Sequence, residues 1–229
     1  MKIKQPFIIT ADSNVFFMSD LHYGHKNILE IDKRPYNTLE EMNSYIVREL
    51  KTKLRPTDVL FDLGDLFWKS TNIKECREIL DSIPTKNIYK VIGNHDPYKY
   101  YIPENIGEIN NLCDRFMRVA DIYDIHIKTQ EGSEYLVSLS HYPILDWNHM
   151  YQGGLHIYGH THGHTDSWVQ RGSRLMVDVG FSASLATNYG SFIIPFSEIL
   201  RHFKNKTGGT SFSEWAKTKY HEPEFWNTK

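Results

Sequence analysis

Apolar residues in this chain form short runs that alternate with stretches of helical periodicity. Runs at 15–18, 59–63 and 88–92 have the length of buried strands. Between them, apolar residues recur every three to four positions, first after the capping-box pattern of Thr38 and Glu41 and again from Ile73 to Ile83. The first 96 residues therefore predict the order β-α-β-α-β, which favours a largely parallel sheet.

The pattern changes after about residue 116. Short apolar runs at 122–127, 135–139, 155–158 and 175–179 predict strands without long helices between them. We expect a second, more antiparallel sheet packed on the first. We also expect one domain over residues 1–204, followed by a C-terminal tail or peripheral helix over residues 205–229.

Composition limits the classes of partner and compartment. The 229 residues are 40% hydrophobic, which is enough for a core, and the net charge of −2 gives no general attraction to nucleic acid or anionic membrane. No run approaches the roughly 18 apolar residues of a membrane span, and the first apolar patch is too short for a secretory signal. Cys76 and Cys113 are the two cysteines, so we expect a cytoplasmic protein without a disulfide framework.

Polar clusters follow the apolar runs directly, where parallel strands would end. Ligands of open α/β sheets bind beyond the carboxyl ends of strands, so these side chains are expected at one edge. Carboxylate oxygen, amide oxygen and imidazole nitrogen without thiol are donors typical of a dinuclear hydrolytic metal site. The clusters are Asp20-Leu21-His22, Gly64-Asp65, Gly93-Asn94-His95-Asp96, His141 and Gly159-His160-Thr161-His162.

Two further roles follow from side-chain chemistry. His95 has a carboxylate neighbour, Asp96, and an imidazole so placed can donate a proton to a leaving-group oxygen. We therefore take both as candidate catalytic residues, with Asp96 holding the tautomer of His95 and raising its pKa. His25, three residues after His22, could contact the substrate phosphate or cap the following helix, and the sequence leaves both open.

The ordered motifs DxH, GD, GNHD, H and GHxH resemble the calcineurin-like metallophosphoesterase family. With Arg34-Pro35-Tyr36 and Ser140-His141-Tyr142-Pro143, they are most similar to small bacterial and phage members, over about residues 15–196. The resemblance implies an α-β-β-α sandwich of two facing mixed sheets that holds two divalent ions, of Mn, Fe or Zn. It also implies that one ion is bound by Asp20, His22 and His162, the other by Asn94, His141 and His160, and both by a bridging Asp65.

The implied activity is phosphate-ester hydrolysis, of diesters more than monoesters, by a metal-bridging hydroxide with His95 assisting the leaving group. Gly64-Asp65 is followed by Leu66-Phe67-Trp68-Lys69 and not by the DRG segment of protein phosphatases, which argues against a phosphoprotein substrate. Two alternatives remain: a nuclease of the same family, which the net charge does not support, and a non-catalytic interaction scaffold. The natural substrate and the oligomeric state are not predicted.

Overall fold

The computed structural model describes residues 7–9, 14–101 and 111–220, which form ten strands and seven α-helices. The strands are β1 (Phe7–Ile9), β2 (Val15–Met18), β3 (Val59–Asp62), β4 (Asn87–Val91), β5 (Arg118–Ala120), β6 (Ile122–Lys128), β7 (Glu134–Ser140), β8 (Leu155–Tyr158), β9 (Met176–Asp178) and β10 (Ile194–Pro195). The helices are α1 (Ile28–Ile31), α2 (Leu39–Thr52), α3 (Ile73–Ser82), α4 (Asp166–Arg171), α5 (Ser184–Tyr189), α6 (Phe196–Lys206) and α7 (Phe212–Lys219).

The strands form two five-stranded mixed sheets. One has the order β10-β2-β3-β4-β5 and the other β1-β6-β7-β8-β9. Each contains three parallel pairs and one antiparallel pair, β10 with β2 and β6 with β7. The expectation of a more antiparallel second sheet is therefore wrong. The connections after β7 and β8 span residues 141–154 and 159–175, long enough to cross over and restart the next strand in the same direction.

The two sheets face each other across the main core. Alternate residues of β2, β3, β4, β6, β7, β8 and β9 point inward. Helices α2 and α3 cover the outer face of the first sheet, and α4 and α7 lie on that of the second. This arrangement confirms the predicted α-β-β-α sandwich. Inward-facing core residues from both sheets include Phe17, Phe61, Ile125, Leu139 and Ile157.

Helix α2 shows how the predicted helices form. The Thr38 hydroxyl accepts the Glu41 N–H at 3.1 Å, and the Glu41 carboxylate accepts the Asn37 N–H at 2.9 Å. At 14 residues it is the longest described helix, and no helix in the described ranges is long and apolar enough to cross a membrane. Near the other end of the chain, α7 occupies the segment expected as a tail or peripheral helix, and the division near residue 204 stays a prediction.

Candidate metal centre

The five predicted clusters meet at one edge of the sandwich. They follow β2, β3 and β4 in one sheet and β7 and β8 in the other, so both sheets contribute their carboxyl ends. A bridge between Ser19 and Gly180 joins the sheets there, and the Phe181 N–H donates to the Ser19 carbonyl at 3.0 Å. All seven predicted metal ligands lie at this edge.

Asp20, His22 and His162 form a first group whose ligand atoms lie within 4.8 Å of one another. The Nε2 atoms of the two histidines are 3.2 Å apart, and Asp20 Oδ1 lies 3.6 Å from His162 Nε2. Asp20 Oδ2 accepts the backbone N–H of His160 at 2.8 Å, whereas the buried Oδ1 has no hydrogen-bond partner among the described residues. An unpartnered carboxylate oxygen facing two imidazole nitrogens fits a bound cation.

A second group surrounds the side chain of Asn94. Its Oδ1 lies 2.9 Å from both His141 Nε2 and His160 Nδ1. His141 Nδ1 donates to the Leu63 carbonyl at 2.9 Å, which leaves a lone pair on Nε2 in the neutral ring. These donors also suit a divalent cation.

Asp65 lies between the two groups. Its Oδ1 accepts the backbone N–H of His95 at 2.8 Å. Its Oδ2 lies 3.7 Å from His22 Nε2 and 3.5 Å from His141 Nε2, so this oxygen faces one histidine of each group. The position is the one that a bridging carboxylate would need.

Unusual backbone conformations aim most of these side chains. Asp20 and His22 are two residues apart, and this spacing predicts an extended segment from which both side chains point the same way. That local prediction is wrong: the φ angles of Asp20 and His22 are 57° and 51°, in the left-handed region, and the side chains converge from this turn. Backbone hydrogen bonds from Asp20 to Gly64 at 3.0 Å and from His22 to Asp65 at 2.9 Å hold the turn. The other predicted ligands with positive φ are Asp65, His160 and His162.

Two glycines allow the ends of β3 and β4 to approach. Gly64 has a φ of 112°, and a Cβ there would lie 2.9 Å from the Gly93 nitrogen. A Cβ on Gly93 would overlap the side chain of Asp65. The glycines of the GD and GNHD motifs are therefore required by close packing around the predicted bridging carboxylate.

Burial dominates the electrostatics of most predicted ligands, but at His162 the hydrogen bond to Asp32 and the nearby carboxylate charges together outweigh it and raise the pKa of that ring. Burial raises the pKa of Asp20 to about 8, with repulsion from Asp178 adding to the effect, and raises the pKa of Asp65 to about 7. Burial also lowers the pKa of His141 to about 4 and that of His22 well below its usual range. Neutral imidazoles are ready to coordinate, and a divalent cation would stabilise the carboxylate anions that burial disfavours.

Three aromatic rings stand beside the first group. The His95 ring lies 5.4 Å from that of His22 and 4.8 Å from that of Trp68, centroid to centroid. His25 stacks flat on Trp68 at 3.5 Å, and α1 begins without a side-chain cap, so the described contacts do not show the capping role considered for His25. Contact between His25 and a substrate stays a prediction.

The environment of His95 differs from the expected one. Burial, followed by the positive charge of Lys69, lowers the pKa of His95; Asp96 raises it, as expected, but its effect is outweighed. Asp96 Oδ2 accepts the N–H groups of Gly93 at 2.8 Å and Asp65 at 2.9 Å, and its Oδ1 has no hydrogen-bond partner in the described parts of the chain. No hydrogen bond from Asp96 therefore holds the His95 tautomer, because the carboxylate points inward and braces the loop.

Several residues that the sequence interpretation leaves without a role support the site. Lys90 is fully buried, with Nζ 2.7 Å from Asp96 and 2.8 Å from Asp62, and its signal in the sequence is a lysine inside an apolar run. Asp178 accepts from the Thr161 hydroxyl at 2.5 Å and from the Gly163 N–H at 3.0 Å, so it shapes the GHTHG loop. Asp32 Oδ2 lies 2.6 Å from His162 Nδ1, and no sequence motif identifies Asp32 as part of the site.

Comparisons with known proteins agree with this geometry. Residues 13–164, more than half of the chain, match the family model of calcineurin-like phosphoesterases. An uncharacterised protein of Methanocaldococcus jannaschii is 28% identical over 58% of this chain and 75% of its own length. The gene 66 protein of Mycobacterium phage L5 is 27% identical over 66% of this chain and 78% of its own.

A solved structure shows the same fold. A protein of unknown function from Aquifex aeolicus superposes with a TM-score of 0.55 at 23% identity, covering 83% of this chain and 99% of that protein. The family match spans all five polar clusters. The chain belongs to the calcineurin-like phosphoesterase family.

Proposed function

We propose that this protein is a dinuclear metal-dependent phosphohydrolase that prefers phosphodiesters to phosphomonoesters. Membership of the family supports phosphate-ester hydrolysis in general. The observation that carries the proposal is the convergence of carboxylate and imidazole donors around the unpartnered, buried Oδ1 of Asp20. A metal-free interaction scaffold would leave this buried oxygen without a partner.

The contacts support a division of the donors between two ions. Asp20, His22 and His162 would hold one ion, and Asn94, His141 and His160 the other, with Asp65 facing both. Two bound cations supply an acidified water and stabilise charge on the attacking and leaving oxygens. Because imidazole ligands predominate, Mn²⁺, Fe and Zn²⁺ suit this donor set better than Mg²⁺.

His95 would assist the leaving group. Its half-buried ring stands beside His22 without being among the donors, and its lowered pKa favours the neutral imidazole near pH 7. A neutral ring donates an N–H hydrogen bond, so His95 would steady negative charge on the leaving oxygen.

The preference for diesters draws support from the cations near the site. A monoester dianion carries a second negative charge that an arginine fork would suit. Arg34 cannot provide it, because it is 5% exposed and its Nη atoms donate to the Asp20 and Leu21 carbonyls at 2.7 Å. A diester, with one charge, needs no such fork, and Lys69, whose charge lowers the pKa of His95, offers a point charge but not a fork.

The test is hydrolysis of bis-p-nitrophenyl phosphate and p-nitrophenyl phosphate by protein stripped of metal and reloaded with Mn²⁺, Zn²⁺ or Fe²⁺. We expect metal-dependent turnover that is faster on the diester, with two ions per chain by elemental analysis. The variant Asp65→Asn should lose turnover on both esters. Absence of metal-dependent turnover on either ester would refute the enzyme proposal, and faster monoester turnover would refute only the preference.

A further inference from the structure

Asp32 connects a predicted metal ligand to the fold. Its side chain is 2% exposed and lies between α1 and α2, outside all five polar clusters. Its Oδ2 lies 2.6 Å from His162 Nδ1 and accepts the Ser182 hydroxyl at 2.8 Å. Because a carboxylate only accepts, the proton between it and the neutral imidazole resides on Nδ1, and the lone pair of His162 is on Nε2. That is the nitrogen facing Asp20 and His22.

Arg34 ties Asp32 to the turn that carries the other ligands of the first group. Its Nε and Nη2 lie 3.3 and 3.2 Å from Asp32 Oδ2. Its Nη1 and Nη2 donate to the Leu21 and Asp20 carbonyls at 2.7 Å. One buried guanidinium thus holds both the carboxylate behind His162 and the left-handed DxH turn.

We propose that Asp32 and Arg34 are positioning residues for the first metal ion, which set the tautomer and direction of His162 and lock the DxH turn beside it. This inference rests on the proposed metal-dependent function. Partners of this kind orient ligand histidines, and their loss weakens metal affinity by about 10–100-fold. A purely structural ion pair between Asp32 and Arg34 would stabilise the fold without that effect.

The experiment measures the affinities of the two ions separately, by calorimetric titration of Mn²⁺ into the metal-free full chain. We expect Asp32→Ala to lower the affinity for one of the two ions by about 10–100-fold and to leave the affinity for the other unchanged. Asp32→Asn keeps an oxygen that can accept from Nδ1, so it should restore part of the affinity. Arg34→Lys keeps the charge but loses the forked guanidinium, and should lower the affinity for the same ion.

A matched control lies on β6 and β7 of the second sheet. His126 Nδ1 and a Glu134 carboxylate oxygen are also 2.6 Å apart, but at the exposed surface of β6 and β7. Glu134→Gln removes an imidazole–carboxylate contact of the same length and should change neither affinity. Thermal unfolding of the metal-free variants separates a loss of fold stability from a loss of metal affinity.

The outcomes separate this inference from the proposed function. Wild-type affinity for both ions in Asp32→Ala would overturn the positioning role, even with a lower melting temperature. Equal weakening of both ions would also overturn it. A wild-type chain that binds no ion would overturn the proposed function, and this inference with it. If Asp32→Ala does not fold, the affinities of Asp32→Asn and Ser182→Ala for the two ions are measured in its place.

Discussion

At the residue scale, the predicted ligands store backbone strain. A left-handed conformation costs a non-glycine residue about 1–2 kcal/mol, and five of the predicted ligands adopt it: Asp20, His22, Asp65, His160 and His162. Such strain persists where surrounding contacts determine the conformation, and it clusters at functional sites. Here the contacts are the hydrogen bonds between the ends of β2 and β3 and the clamp of Arg34.

Replacing His95 tests the separation of catalysis from metal binding. His95 supports Asp65 through its backbone N–H, which His95→Ala retains. We therefore expect unchanged metal content and a fall in kcat of about 10²–10⁴-fold, the range for losing a proton-transfer or hydrogen-bonding group. Steady-state kinetics on the diester, with His126→Ala as a surface-histidine control, provide the measurement. A kcat equal to that of the wild type would contradict the assigned role.

His156, which is not among the predicted metal ligands, makes the stability of the fold depend on pH. His156 is buried, donates from Nδ1 to the Ser138 carbonyl at 3.1 Å and accepts the Ile144 N–H at 3.1 Å. Burial lowers its pKa to about 4, against 6.5 in the unfolded chain. Its contribution, about 3 kcal/mol, is therefore full above pH 6.5 and is lost as the pH falls through 4.

The variant His156→Gln should remove this pH dependence. Urea unfolding between pH 7.5 and 4.5 would show a steeper loss of stability in the wild type than in the variant. The comparison is made on metal-free protein, so that metal release does not contribute. Parallel profiles would contradict the prediction.

At the scale of elements, β4 carries a buried cation behind the site. Lys90 neutralises Asp62 and Asp96 at 2.8 and 2.7 Å, and Asp96 braces the start of the GNHD loop. Lys90→Met would leave two buried carboxylates without a counter-charge, which should destabilise the fold by about 3–5 kcal/mol. Lys128→Met, in the exposed pair with Glu134 at 3.9 Å, should cost under about 1 kcal/mol. Denaturant unfolding compares them, and equal losses would contradict the prediction.

The elements also show which parts of the fold are readable from the sequence. Strands β2, β3 and β4 are predictable because each is a short, mainly apolar run between turn residues, interrupted only by Asp62 in β3 and Lys90 in β4. Helix α2 is predictable from its cap and periodicity. The two-residue β10 and the short α4 and α5 are too brief to leave a periodic signal, and the left-handed ligand turns depend on hydrogen bonds across strands.

At the scale of the whole molecule, the site exists only when both sheets are assembled. The order of motifs predicts which residues meet, because strand ends collect at one edge, but strand direction in the second sheet depends on crossovers that local pattern does not reveal. Asp32 illustrates the same limit. It approaches His162 from 130 positions away in the sequence, and only the folded chain brings the two together.

This assembly leaves the metal-free protein with buried carboxylates that resist ionisation. The pKa of Asp65 is about 7 in the folded chain, against 3.8 for an exposed aspartate. Between these values the folded chain keeps a proton that the unfolded chain has released, so metal-free stability falls as the pH rises from about 4 to 7. A bound divalent cation would offset this loss by favouring the anion.

Asp65→Asn should therefore raise the melting temperature of the metal-free protein at pH 8 by several degrees, because the amide needs no charge in the buried site. The same variant should lose the gain that metal gives the wild type, which is about 2.7 kcal/mol at a hundredfold excess over Kd. Thermal scans of both proteins, with chelator and with Mn²⁺, measure the two effects together. A variant that is less stable than the wild type without metal would show that the buried Asp65 carboxylate does not lower metal-free stability. A variant that gains as much stability from Mn²⁺ as the wild type would show that Asp65 does not bind the ions.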